Sequence, residues 1–100
     1  MSSTTQSAAA GNRAIVTVIG EDQVGIIATV ATMLATAQVN ILDISQSIMQ
    51  EFFVMIMMVD LAKSNAGFDQ LKDALNARGV EMGLKIDIQR EDVFKLMHRV

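Results

Sequence analysis

Apolar and polar positions alternate along the chain in patterns that change period from segment to segment. Arg13 to Ile19 is apolar on both faces and β-branched at Ile15, Val16, Val18 and Ile19, which predicts an interior strand. Gly20-Glu21-Asp22-Gln23 breaks that run. Ile26, Ile27, Val30, Met33, Leu34 and Ala37 then recur at helical spacing, with Thr29, Thr32 and Thr36 on the other side. An amphipathic helix of about four turns is expected from near Val24 to Ala37. Asn40 opens a second strand, where Leu42, Ile44 and Ile48 face one way and Asp43, Ser45 and Ser47 the other. Gln50 and Glu51 interrupt it. Phe52 to Asp60 then reads as a third strand, so continuously apolar that burial on both faces is expected. Strands joined this tightly are antiparallel neighbours.

Ser64-Asn65 signals the start of a second helix, whose inner face would carry Phe68, Leu71, Leu75 and Arg78 and whose stop would be Gly79. Glu81 to Gln89 alternates, with Met82, Leu84, Ile86 and Ile88 inward and Glu81, Lys85, Asp87 and Gln89 outward. Asp92 can cap a short last helix bearing Val93, Phe94, Leu96 and Met97. The order β-α-β-β-α-β plus a terminal helix is that of an α+β, ferredoxin-like sandwich. Right-handed crossovers put strands one and three at the centre of a four-stranded antiparallel sheet and both long helices on one face. The opposite face would carry an apolar centre flanked by Asp43, Ser45, Ser47, Lys85 and Asp87. Such a patch needs a cover, either the terminal helix or a second subunit.

Composition narrows the chemistry. One hundred residues make a single domain, with 1–12 (MSSTTQSAAAGN) expected as a flexible arm and 13–100 as the folded unit. The chain is 51% apolar and 19% charged, enough for a packed core. Its small size makes a homodimer or higher oligomer a natural expectation. There is no cysteine, and the one histidine, His98, has no neighbour in the sequence to orient it. No catalytic residue, metal site or cofactor is therefore expected, and the chain does not read as an enzyme. Asp43 with Asp60 and Glu91 with Asp92 could be taken for carboxylate pairs, but solvated edges and a helix cap account for them. Met55, Met57 and Met58 crowd the third strand and point to a buried sheet face, and so to a partner surface, rather than to a metal. A net charge of −3 with scattered cations argues against nucleic acid and against a polybasic membrane anchor. The longest apolar run, Phe52 to Val59, is far short of a membrane span, and the N-terminus has no apolar leader segment, so a cytoplasmic location is expected.

One loop offers binding chemistry. In Gly20-Glu21-Asp22-Gln23-Val24-Gly25-Ile26, Asp22 is placed to cap the following helix and Gly25 removes a side chain at its first turn. Free N–H groups there attract a carboxylate, although the same residues also suit a plain strand–helix connection. The segment Val18-Ile19-Gly20-Glu21-Asp22-Gln23-Val24-Gly25-Ile26-Ile27-Ala28 resembles the opening of an ACT domain: an apolar strand, an Asp, two residues, then Gly-Ile and a helix. Asn40-Ile41 followed by Ile44-Ser45-Gln46 resembles the start of that family's second strand. Asp43-Ile44-Ser45-Gln46 and Lys85-Ile86-Asp87-Ile88-Gln89 resemble more narrowly the short, stand-alone bacterial ACT proteins of unassigned role. The likeness runs from residue 13 to about 97.

The resemblance implies a regulatory domain that binds an amino acid at a subunit interface. Asp22, Gln23, Val24, Gly25 and Ile26 would then contact the ligand's backbone groups, partly through main chain, and Asn40 and Ile41 would come from the facing subunit. The family often has Gly before the second strand as a left-handed helix stop. Here Gln38 stands there, at a cost of about 1 kcal/mol in that conformation. A second reading is a ligand-free protein–protein adaptor, including an accessory transcriptional regulator of amino-acid metabolism. A third, an RNA-binding module of the same topology, needs paired aromatics on the open face, and Phe52 and Phe53 point to opposite faces.

Overall fold

Strand β1 (Arg13–Glu21) is paired on both sides, as its two apolar faces require. A computed structural model of the chain describes residues 12–97. The elements that follow are α1 (Ile26–Thr36), β2 (Asn40–Met49), β3 (Phe52–Asp60), α2 (Phe68–Met82), β4 (Leu84–Arg90) and α3 (Glu91–Met97). The strands form one antiparallel sheet in the order β2-β3-β1-β4, so strands one and three are central, as topology demands.

Register explains the core. Val16 stands between Met57 and Ile88, and Val18 between Met55 and Ile86. All six are buried and share one sheet face with Ile26, Val30 and Leu34 of α1 and Leu71 and Leu75 of α2. Burying one such side chain is worth roughly 1.5–3 kcal/mol, which is how a chain this short stays folded. Met55 and Met57 therefore belong to the helix-covered core. Only Met58 faces the other way, so most of the methionine cluster does not mark a partner surface.

Several boundaries differ from expectation. β1 continues through Gly20 and Glu21, which pair with Phe53 and Phe52. α1 starts at Ile26, not near Val24. α2 passes through Gly79 and stops at Gly83, whose φ of 73° is the left-handed stop. Glu81 and Met82 thus close the helix instead of opening β4. Arg78 lies exposed beside Glu81, at 2.7 Å, rather than on the inner face. The inner position is Gly79, because a Cβ there would stand 2.7 Å from the Leu84 carbonyl oxygen. Gln38 does adopt the left-handed conformation, with φ 58°. The expected arm, apart from Asn12, lies outside the described residues, as does His98.

The open sheet face is only partly covered. α3 packs on β1 and β4. It is anchored by Arg13, whose guanidinium donates twice to the buried Glu91 carboxylate at 3.0 and 2.7 Å, with Lys95 at 3.8 Å. Ile15 is buried at that end, whereas Ile19, Phe52 and Ile56 remain 48%, 53% and 42% exposed. In a single chain, β3 is thus buried on one face only.

The two sheet edges are treated differently. On β4 the main-chain carbonyls of Ile86 and Ile88 accept hydrogen bonds from Asn76 and Lys72 of α2. Lys72 also pairs with Asp87. Burial raises the Asp87 pKa, but the hydrogen bonds from Lys72, the Ile88 N–H and Asn76, together with the Lys72 charge, outweigh it and hold the carboxyl below its ordinary value. A carboxylate lowered in the folded state contributes stability that is complete above its unfolded pKa, about 3.9, and lost as pH falls through the folded value. We expect Asp87→Asn to flatten the fall in urea midpoint between about pH 4.5 and pH 2. An unchanged acid limb would show that the pair contributes nothing.

Candidate functional site

The β1–α1 loop is held by main chain at one end and by a side chain at the other. The Asp22 N–H donates to the Glu51 carbonyl at 3.0 Å, which ties the loop to the β2–β3 hairpin turn. The Gln23 amide donates to the Met82 carbonyl at 2.9 Å, which ties it to the end of α2. Asp22 does not cap α1. The helix begins two residues later than the pattern suggests, and its N-cap is Gly25, in a left-handed conformation with φ 91° and no side-chain hydrogen bond. The Gly25 carbonyl accepts the Thr29 N–H at 2.9 Å.

That local path leaves the start of α1 open. The first-turn N–H groups have no intrahelical acceptor, no side-chain cap serves them and no acidic residue stands in the first turn. The positive end of the helix is therefore uncompensated and can receive an anion. Val24 is fully exposed in front of it, and nothing lies within 4 Å of where a Gly25 Cβ would be. Ile26, by contrast, is 2% exposed, so its side chain anchors α1 in the core and only its main chain faces the loop.

Asn40 and Ile41 sit elsewhere. Asn40 is exposed at the head of β2, opposite Asp60. Ile41 is half-buried against the core. A cavity of about 380 Å³ opens beside Asn40, lined also by Gln38, Asp60, Ala62 and Lys63. Sequence reasoning missed Asp60, Ala62 and Lys63 there, because they gather only through the β2–β3 pairing and the turn after β3. The turn is fixed by Asp60 Oδ1, which accepts the Ala62 N–H at 2.9 Å.

The two groups are at opposite ends of the sheet. Asn40 aligns through Asp60 with Arg13 at the start of β1, and the loop follows Glu21 at its end. At about 3.3 Å per residue, some 25 Å separates them, so no single chain closes one ligand between them. The supposed carboxylate pairs do not converge either. Asp43 accepts the Ile44 N–H, Glu91 is taken by Arg13, and Asp92 accepts the Val93 N–H.

Comparison with known proteins identifies the family. The sequence profile of the ACT domain matches residues 12–89. A UPF0237 protein of Clostridium acetobutylicum is 53% identical over 88 residues, 88% of this chain and 99% of its own length. Another from Methanocaldococcus jannaschii is 46% identical over 89 residues, 89% of this chain and 99% of its own. Among solved structures, an ACT domain protein from Streptococcus pneumoniae superposes with a TM-score of 0.74 at 35% identity, covering 85% of this chain and 96% of that one. The chain belongs to the ACT domain family, a family of small regulatory ligand-binding domains.

Proposed function

We propose that this protein senses an amino acid, or a metabolite of similar size and charge, held between two copies of itself. The contrast between the sheet edges carries this reading. The β4 edge is closed by Asn76 and Lys72, whereas among the described residues no side chain from another element hydrogen-bonds to β2. β2 is also long and exposed, with Leu42, Ile44, Ile48 and Met49 all open to solvent. An uncovered edge of that kind pairs with another strand, and the available one is β2 of a second copy. A two-fold axis makes that pairing antiparallel, so the Asn40 end of one copy meets the Met49 end of the other. The Met49 end is where Asp22 is tied to the hairpin turn. Asn40 of one copy then faces the open helix start of its neighbour.

In this arrangement the ligand carboxylate is received by the first-turn N–H groups of α1 and its ammonium by the Asn40 side-chain oxygen of the other copy. Binding stabilises one dimer geometry and shifts the population toward it, with no bond made or broken. A ligand-free adaptor that uses the exposed Ile19, Phe52 and Ile56 face is the second reading.

Calorimetry against the twenty protein amino acids separates the two readings. The sensor predicts a dissociation constant roughly between micromolar and low millimolar for at least one of them. Gly25→Arg should abolish binding while the domain stays folded, since the site is open and the left-handed backbone costs only about 1–2 kcal/mol. Asn40→Ala should abolish it from the other side. Mixing the two variants pairs an intact loop with an intact Asn40 in each mixed dimer and should restore about a quarter of the wild-type sites. Silence across the panel, or no recovery on mixing, would overturn the shared site.

A further inference from the structure

The cavity beside Asn40 is walled by two amides and two opposite charges: Gln38, Asn40, Asp60 and Lys63, with Ala62 between the last two. Hydrogen bonds fix how they meet. Asn40 stands opposite Asp60 across β2 and β3. Asp60 Oδ1 accepts the Ala62 N–H at 2.9 Å, and the Leu61 carbonyl accepts the Ser64 N–H at 3.0 Å, so the turn that presents Lys63 is closed from both sides. Asn65 fastens that turn to the end of α1. Its N–H donates to the Ala37 carbonyl at 2.9 Å and its side-chain amide to the Thr36 carbonyl at 3.2 Å. Lys63 is thereby brought to the same cavity as Gln38, whose left-handed backbone, φ 58°, a glycine would adopt at lower cost.

The two charges share the cavity without pairing. Among the described residues Lys63 forms no salt bridge, with Asp60 or with any other acid. Asp60 uses only Oδ1 within the turn, which leaves Oδ2 for a ligand. In the shared site between two copies, on which this inference rests, the ligand ammonium reaches Asn40, and Asp60 is its registered neighbour. Asp60 therefore meets the ammonium, and Lys63 is left for the ligand's side chain. A basic side chain would be repelled there, and an apolar one would strip water from the Lys63 ammonium without replacing its hydrogen bonds. A carboxylate makes a charge-assisted hydrogen bond, the stronger kind. We propose that the ligand is a dicarboxylic amino acid, glutamate or aspartate, with its ammonium on Asp60 and Asn40 and its side-chain carboxylate on Lys63. The cavity, about 380 Å³, is in the range of small-ligand pockets, roughly 300–1,000 Å³.

The test is calorimetry on the full chain with each acid and its neutral amide: glutamate with glutamine, and aspartate with asparagine. The better acid should bind at least about tenfold tighter than its own amide and than leucine. Lys63 is exposed, so Lys63→Gln should fold, and it should bring acid and amide within about twofold of each other. Asp60→Asn retains an oxygen for the Ala62 N–H and so keeps the turn. It should weaken acid and amide alike, by about fivefold or more, and leave their ratio unchanged. An amide or leucine that binds the wild-type chain as tightly as the acid would overturn the inference, as would a preference for the acid that survives in Lys63→Gln. So would an Asp60→Asn variant of unchanged affinity. In each of these cases an amino acid still binds, and the shared site stands. Silence across all twenty amino acids would overturn both together.

Discussion

Gly79→Val should strongly destabilise the packing of α2 on the sheet, costing about 2–4 kcal/mol. A Cβ at this position would lie 2.7 Å from the Leu84 carbonyl oxygen and 3.1 Å from both the Ile86 nitrogen and its Cγ1. Two of those three atoms are backbone, and β4 cannot retreat because seven of its residues are registered against β1. α2 must therefore tilt away, which loosens Leu71 and Leu75 in the core. Alanine at a helix interior normally gains about 1 kcal/mol over glycine, so even Gly79→Ala should show a net loss if the close approach dominates. For a domain of this size, Gly79→Val should lower Tm by roughly 10–25 °C. Gly67→Ala is the control. That site has ordinary backbone angles and nothing within 4 Å, and its effect should stay within about 0.5 kcal/mol. Urea melts that leave Gly79→Val as stable as wild type would show that the helix shifts freely.

Gly79 also shows what the sequence could not say. A glycine after an apolar helical run reads equally as a stop or as a close approach, and only the position of the Leu84 carbonyl decides between them. The strand order was legible because alternation in β4 and continuous apolarity in β1 and β3 leave few topologies open. The flank of the open face was legible for the same reason: Asp43, Ser45 and Ser47 follow strictly from period two. The left-handed turns at Gln38 and Gln50 carry no glycine, so Gln38 was legible only through the family resemblance and Gln50 not at all. The anchor of α3 is illegible in principle, since Arg13 and Glu91 are 78 residues apart. Asp22 fits a cap by residue type, but α1 starts at Ile26 with Gly25 at the N-cap, which leaves the Asp22 carboxylate three residues short of that position. Of the proposed site residues, Asp22 and Gly25 stood out by helix-start chemistry, whereas Asn40 and Ile41 entered only through the family resemblance. Their separation to opposite ends of the sheet is a property of register, which spacing along the chain does not encode.

In the proposed dimer, that separation makes the β2 edge the point where assembly and ligand binding would be broken together. We expect Leu42→Lys combined with Ile48→Lys to convert a dimer of about twice 10.8 kDa into a monomer. Both side chains are partly exposed in the single chain, so the monomer should still fold, with its unfolding midpoint lowered by the loss of the dimer's stabilisation. Antiparallel pairing of β2 with itself sets the Asn40 end of one copy against the Met49 end of the other. The new cations of each copy then approach those of its partner, and like charges across a strand pair repel. Amino-acid affinity should fall at least about a hundredfold, a loss of roughly 2.8 kcal/mol, because the monomer keeps the open helix start but has no Asn40 within reach. Val80→Lys is the control, since Val80 is more exposed than either and lies on α2, away from the edge. It should remain dimeric and bind normally. Sedimentation and calorimetry on the same samples decide the outcome. A double variant that stays dimeric places the interface elsewhere, and a monomer that binds its amino acid with full affinity means that one copy alone makes the whole site.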